Sequence, residues 1–111
     1  MVIHEFGTVI LVPFPFTDQS SFKRRPAVVV SSAAFHLARS DLVLMPITSQ
    51  LRYGAFGDVF VQDWQAAGLL TPSAIKPVLA TFHRNLVIKP LGSLSSRDQA
   101  ALRSRISELI G

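Results

Sequence analysis

The chain has 111 residues, of which 49% are hydrophobic and 16% charged, and its formal net charge is +4. This length predicts a single domain, residues 1–111, and the apolar content is too high for a disordered chain. The sequence contains no cysteine, which excludes disulfides, thiolate metal sites and thiol catalysis.

The sequence also bears on location and partners. No window approaches 18 uninterrupted apolar residues, and the N-terminal MVIHEFGTVI lacks the basic stretch of a secretion signal. We therefore expect a cytoplasmic protein with no membrane partner. The mean hydropathy of +0.37 predicts that a partner, most simply a second copy, covers part of the surface.

The first half of the chain predicts three strands and one short helix. Apolar runs rich in valine and leucine indicate strands, and clusters of polar turn residues separate them. The predicted elements are a strand at Gly7–Phe16, a loop at Thr17–Phe22, a strand at Pro26–Ser31, a short helix at Ser32–Arg39 and a strand at Asp41–Thr48.

The second half predicts shorter strands and then a helix. Before the helix we expect a loop at Ser49–Gly57, a strand at Asp58–Gln62, an irregular turn at Trp64–Thr71, a strand interrupted by Pro77 at Ala74–Thr81 and a short strand at Leu86–Lys89. Ser96 and Gln99 fit a capping box. Apolar residues then recur at helical spacing, at Leu102, Ile106, Leu109 and Ile110.

Many short strands followed by one terminal helix do not form the alternation of a parallel α/β protein. The predicted fold class is therefore mainly β (α+β). We expect a small antiparallel β-barrel with a C-terminal α-helix and short peripheral helices.

Most catalytic and cofactor motifs are missing. His4, His36 and His83 lie far apart, with no acid at ligand spacing beside them, so we predict no metal site. The sequence has neither a G-x-S-x-G elbow nor the glycine-rich loops that bind nucleotides. We predict no cofactor.

A run of three cations, Lys23–Arg25, precedes the second predicted strand. Arg25 stands directly before Pro26, which biases its backbone towards an extended conformation and fixes where its side chain leaves the chain. A guanidinium is a planar fork that contacts a phosphate at two points. If the second and third strands are neighbours, Arg25 and Thr48 lie at the same end of the sheet.

This set of residues suits RNA cleavage. RNA supplies its own nucleophile, the 2′-hydroxyl, so the protein has only to stabilise a phosphorane and help to move two protons. Ser49 and Gln50 add uncharged donors, and Phe16 offers a surface on which an unpaired base could stack.

Several segments together resemble the MazF/PemK family of toxins from toxin–antitoxin systems. The resemblance covers nearly the whole chain and depends on motifs that occur in the family's order and spacing. These are Gly7–Phe16, K-R-R-P-A-V-V-V-S at Lys23–Ser31, P-I-T-S-Q at Pro46–Gln50, G-L-L with Pro72-Ser73, and L-G-S-L-S at Leu91–Ser95.

The resemblance implies an SH3-like barrel, a homodimer and a metal-independent, sequence-specific endoribonuclease (an mRNA interferase) that cuts single-stranded mRNA at short sequences. It places the catalytic arginine on Arg25 and the catalytic threonine on Thr48. It also implies a cognate antitoxin as a protein partner. Together with the residues discussed above, it gives a predicted RNA-binding set of Phe16, Thr17, Lys23, Arg24, Ser49, Gln50 and Lys76.

Some members of the family carry a basic residue on their fifth strand, and Lys76 matches it. The sequence departs from the family pattern directly after this residue. Several members carry an acid shortly after it, whereas here Lys76 is followed by Pro77, Val78 and Leu79. Two other functions stay open. One is a toxin that binds a protein target such as DNA gyrase without cutting RNA, and the other is a non-catalytic RNA-binding module.

Overall fold

The computed structural model describes residues 4–15, 22–51 and 57–111. In chain order its elements are β1 (Thr8–Pro15), β2 (Phe22–Val29), α1 (Ala33–Ala38), β3 (Asp41–Thr48), β4 (Val59–Phe60), β5 (Ala74–Ile75), β6 (Ala80–His83), a 3₁₀ turn (Arg84–Leu86), β7 (Lys89–Ser93) and α2 (Ser96–Ile110). The predicted fold class is confirmed, because an antiparallel half-barrel is followed by one long C-terminal helix.

The seven strands form one sheet in the order β4-β5-β3-β2-β1-β7, and β6 also pairs with β3. Both β5 and β6 pair with β3, β6 at its first residues and β5 at its last two. The segment Ala74–Thr81, predicted as one strand interrupted at Pro77, is thus divided into two short strands on either side of that proline.

Alternating residues of the central strands face two separate cores. Val9, Val28 and Met45 stand opposite one another in β1, β2 and β3 and belong to the first core, which also contains Leu102 of α2. The residues one position along, such as Ile10 and Ala27, belong to the second core. The first half of β1 is therefore buried on both faces, since the neighbouring residues Val9 and Ile10 are both 0% exposed.

The start of the second strand was predicted wrongly. β2 begins at Phe22 instead of Pro26, so the three cations lie within the strand and pair with β1. Composition favoured a loop there, but β1 extends to Pro15 and offers a partner, and such tertiary pairing overrides local propensity. Three prolines, Pro13, Pro15 and Pro26, occupy every second residue pair between β1 and β2. In an antiparallel ladder every second pair makes no hydrogen bonds across the two strands, so the missing N–H groups of these prolines cost no bond between β1 and β2.

The last strand was also misplaced. Leu86–Lys89 was predicted as a strand, but Arg84–Leu86 forms a 3₁₀ turn and β7 runs from Lys89 to Ser93. β7 contains Pro90 and Gly92, which are poor strand formers, and it is held by pairing with β1.

The terminal helix begins one residue away from the predicted cap. Ser95, not Ser96, is the N-cap, and its hydroxyl accepts the backbone N–H of Asp98 at 3.4 Å. The Gln99 side chain donates to the carbonyl of Leu94.

Asp98 is 1% exposed, and its two carboxylate oxygens accept the backbone N–H groups of Gln62 and Asp63, both at 2.9 Å. The first turn of α2 therefore holds the turn that follows β4.

Arg97 and Asp63 form a second, exposed link between the same two segments. Arg97 donates from Nε and Nη2 to the two carboxylate oxygens of Asp63, each at 2.8 Å, and this, with a hydrogen bond from Ser95, lowers the pKa of Asp63 to about 2. The ionised pair therefore stabilises the fold above about pH 4, and the stabilisation is lost as the pH falls through about 2.

Replacing Arg97 with glutamine should therefore raise the pKa of Asp63 towards its ordinary value of 3.8, since the guanidinium is the main cause of the shift. An NMR titration of the Asp63 carboxyl measures this directly, with Arg105→Gln as a control on the same helix. A titration of Asp63 that is the same in the wild type and in Arg97→Gln would contradict the assignment.

Among the residues that the structure describes, no helix combines the length and apolar character needed to cross a membrane.

Candidate functional site

A cleft of about 710 Å³ opens where β2 and β3 meet, beside the turn before β5. Strands β1, β2, β3 and β7 and the segments after β3 and before β5 form its walls. Its lining residues are Leu11, Lys23, Arg24, Arg25, Pro26, Ile47, Thr48, Ser49, Gln50, Gly68, Leu69, Leu70, Ser73, Lys89 and Leu91.

Arg25 and Thr48 are brought together by the register of the central strands. The last pair recorded between β2 and β3 is Ala27 with Pro46, and two residues further along each strand are Arg25 and Thr48. Continued by two residues, this register would set Arg25 opposite Thr48, and opposite residues of an antiparallel pair project to the same face. Both residues line the cleft. The condition set from sequence, that the second and third strands are neighbours, is met.

The Thr48 hydroxyl is fixed by a local turn. Its Oγ1 accepts the backbone N–H of Gln50 at 3.0 Å, a bond that orients the side chain at the end of β3. This bond uses a lone pair of the oxygen and leaves the O–H group as a donor. A phosphate oxygen in the cleft is the kind of acceptor that this donor suits.

The cleft is strongly cationic. Lys23, Arg24, Arg25 and Lys89 line it, and its described lining includes no aspartate or glutamate. Such an arrangement focuses a positive potential into a concave surface and attracts polyanions. An anionic ligand with several charges fits this cleft better than a neutral one.

The wall at Gly68–Leu70 is held by a close approach of two backbones. A Cβ on Gly68, whose φ is +80°, would lie 2.1 Å from the carbonyl oxygen of Leu91. A Cβ on Gly92 would lie 2.7 Å from the backbone of Ala67. Both positions therefore require glycine, and together they set how far Leu69 and Leu70 stand from β7.

The structure brings most of the predicted site residues to the cleft. Arg25, Thr48, Lys23, Arg24, Ser49 and Gln50 line it. Phe16 and Thr17 lie outside the described residues.

Lys76 does not line this cleft. Its backbone N–H donates to the carbonyl of Pro46, and its ammonium lies 3.5 Å from the carboxylate of Asp58, whose side chain is only 6% exposed. An acid thus lies beside this lysine after all, but it comes from the residue before β4 and not from the segment that follows Lys76. No local sequence pattern indicates this ion pair, because it depends on the alignment of β4 with β5.

Sequence reasoning missed two contributors to the cleft. Lys89 lies opposite Leu11 in β7, and Leu70 is an apolar side chain that is 96% exposed. The exposure of Leu70 is known only from the structure, so the sequence carries no signal for it. Lys89 could be found only from the pairing of β7 with β1.

No group of three or more metal-ligating side chains occurs within the described ranges. His36 is 5% exposed and its Nε2 is hydrogen-bonded to the hydroxyl of Ser31, and burial lowers the pKa of the imidazole, which favours the neutral ring.

Comparison with known proteins identifies relatives of the whole chain. The sequence model of the PemK-like, MazF-like toxins of type II toxin–antitoxin systems matches residues 5–110. No curated protein matches the sequence.

Three solved structures illustrate the likeness in fold. The Mycobacterium tuberculosis toxin MazF-mt6 is 20% identical, covers 90% of this chain and 94% of its own, and superposes with a TM-score of 0.70. MazF from Deinococcus radiodurans is 23% identical over 100% and 99% of the two chains, with a TM-score of 0.72. A mycobacterial endoribonuclease in complex with its cognate antitoxin is 15% identical over 100% and 96%, with a TM-score of 0.76.

Proposed function

The chain belongs to the family of PemK-like, MazF-like toxins of type II toxin–antitoxin systems, and on that premise we propose that it cleaves single-stranded mRNA without a metal ion. The observation that supports the proposal is that Arg25 and Thr48 line one cationic cleft, whose described lining includes no acid. A phosphodiester with its own 2′-hydroxyl nucleophile needs no more than such a site.

The proposed reaction is a transesterification. The 2′-hydroxyl oxygen attacks the adjacent phosphorus while the bond from phosphorus to the 5′-oxygen breaks, and the proton lost from the 2′-oxygen is replaced, in net terms, by the proton gained at the departing 5′-oxygen. The products are a 2′,3′-cyclic phosphate and a 5′-hydroxyl. Arg25 would stabilise the charge on the phosphorane through two N–H donors and take part in the proton transfer. Thr48 would donate to a phosphoryl oxygen.

The rest of the cleft would hold the substrate. Lys23, Arg24 and Lys89 are placed to contact flanking phosphates, while Ser49 and Gln50 offer uncharged groups for base edges. Phe16, Thr17 and Lys76 remain proposed RNA contacts. Lys76 would have to share its charge between RNA and Asp58.

We propose two protein partners. The first is a cognate antitoxin, since a mycobacterial neighbour is an endoribonuclease bound to its own, and an acidic segment would be attracted to this cationic cleft. The second is another copy of the chain. Val78, Leu79 and Ile110 are 50%, 47% and 64% exposed, which is apolar surface of the kind that a homodimer covers.

Cleavage of a long RNA by the purified protein should continue in EDTA and yield 5′-hydroxyl ends. Thr48→Val keeps the shape of the side chain but removes the donor, so it should slow cleavage by about 10²-fold. Thr48→Ser retains the hydroxyl and should stay within about tenfold of the wild type. Rates come from single-turnover assays on labelled RNA.

Intact RNA in the presence of correctly folded wild-type protein would overturn the proposal. Growth inhibition by Arg25→Ala without RNA breakage would point instead to a protein target. Salt-dependent RNA binding without cleavage would indicate a binding module.

A further inference from the structure

A second groove, of about 380 Å³, lies beside the start of β7. It is lined by His4, Arg84, Asn85, Val87, Ile88, Lys89 and Pro90, a set with basic side chains and no carboxylate. Glu5, which follows His4 in the chain, lines a different pocket together with Phe6 and Arg103. The described lining of this groove therefore presents only neutral or basic groups to a ligand.

The groove continues the catalytic cleft. Lys89 lines both cavities. Within the sheet, Leu11 is flanked by Lys89 of β7 on one side and Pro26 of β2 on the other. Two strand spacings separate Lys89 from Pro26, so the lysine lies about 10 Å from the Arg25-Pro26 edge of the cleft. A flexible polyanion leaving the cleft across β1 meets Lys89 and then this groove.

The far end of the groove is built on backbone that is tied to the sheet. The Arg84 N–H donates to the Ser40 carbonyl at 2.9 Å, and the Ile88 N–H donates to the Leu11 carbonyl at 2.8 Å. Between them, the ring Nδ1 of His83 accepts the Asn85 N–H at 3.1 Å. The segment that carries Arg84 is therefore preorganised, which reduces the entropic cost of binding a ligand there.

We propose that the RNA chain on one side of the scissile phosphate continues over Lys89 into this groove, where Arg84 and Asn85 contact its backbone. This inference rests on the proposed ribonuclease function. Among the described residues that line the groove, the only aromatic ring is that of His4, so the groove holds phosphates and does not select bases. The chain then gains affinity from RNA length outside the cut sequence.

The experiment first maps the cut site on a long RNA and then uses three synthetic RNAs. One covers only the cut site, one extends it on the 5′ side and one extends it on the 3′ side. A 2′-deoxy nucleotide at the cut position removes the nucleophile, so that equilibrium binding can be measured by fluorescence anisotropy. The variants are Arg84→Gln and Arg103→Gln. The second is the matched control, because it also removes one positive charge but at a residue of α2 whose guanidinium lies over the ring of Phe6.

We expect Arg84→Gln to weaken binding of one extended RNA by about three- to tenfold, to reduce the salt dependence of that binding, and to leave the short RNA within about twofold. Arg103→Gln should bind all three like the wild type. The side that carries the effect gives the polarity of the RNA. Cleavage of the unmodified short RNA should be equal in the wild type and in Arg84→Gln.

Other outcomes overturn the inference. An equal effect on short and extended RNAs would assign Arg84 to the cleft itself. No effect on RNA, with weaker binding of the antitoxin, would assign the groove to that protein. If the wild type cuts no RNA at all, the proposed ribonuclease function is wrong. If it cuts RNA normally but binds short and extended RNAs equally well, only the proposed binding of RNA in this groove is wrong.

Discussion

Replacing Arg25 with alanine is expected to reduce the rate of RNA cleavage by about 10³-fold, and replacing it with lysine by about 10²-fold. Lysine keeps the positive charge but lacks the planar fork that makes two parallel contacts to a phosphate. The residual difference between the two variants therefore separates charge from geometry.

The effect should arise in the chemical step. Single-turnover rates at saturating enzyme should fall, while the dissociation constant for a 2′-deoxy-blocked RNA should change by less than about tenfold. Arg24→Ala is the matched control, since Arg24 adjoins Arg25 in β2 and lines the same cleft. It should mainly weaken binding.

Two results would contradict the role of Arg25. Equal losses for Arg24→Ala and Arg25→Ala would make both cations part of a general electrostatic field. A loss in Arg25→Ala together with a lower melting temperature would assign the residue to the fold instead of the reaction. Circular dichroism of each variant distinguishes these cases.

Replacing Asp98 with alanine is expected to destabilise the fold by about 3–5 kcal/mol, which is a large fraction of the stability of a small domain. The carboxylate is buried and accepts the backbone N–H groups of Gln62 and Asp63, both at 2.9 Å. Alanine would leave these donors buried without partners.

Thermal and urea unfolding measure this loss. Asp98→Asn keeps the shape but replaces one acceptor oxygen with a donor that faces a backbone N–H, so most of the loss should persist. Arg97→Gln removes only an exposed ion pair on the same turn and should have a much smaller effect. If Asp98→Asn proves as stable as the wild type, the carboxylate is not what holds the turn after β4.

The parts of the fold that local pattern controls could be predicted from the sequence. The apolar run at Thr8–Val12 and the helical spacing of Leu102 and Ile106 reflect burial, which repeats with the period of the element. The meeting of Arg25 and Thr48 also followed once β2 and β3 were taken as neighbours.

Features that depend on distant pairing could not be predicted. β2 begins at Phe22 because β1 extends far enough to pair with it, and no local signal in Lys23–Arg25 indicates this. Asp98 looks like an ordinary first-turn acid, yet it binds a turn 35 residues away. Lys89 enters the cleft only because β7 pairs with β1.

The contact between Gly68 and Gly92 has a consequence for how this cleft can change over time. Any side chain at either position would clash with the facing backbone and push the two segments apart. Point mutations at these two glycines therefore cannot adjust the width of the cleft without disrupting the fold. Adaptation to a new RNA sequence would then have to act through side chains that have room to vary, such as Ser49, Gln50 and Leu70. The two glycines thus act as an evolutionary constraint that confines variation in substrate choice to the side chains on the surface of the cleft and leaves the spacing of its backbone walls unchanged.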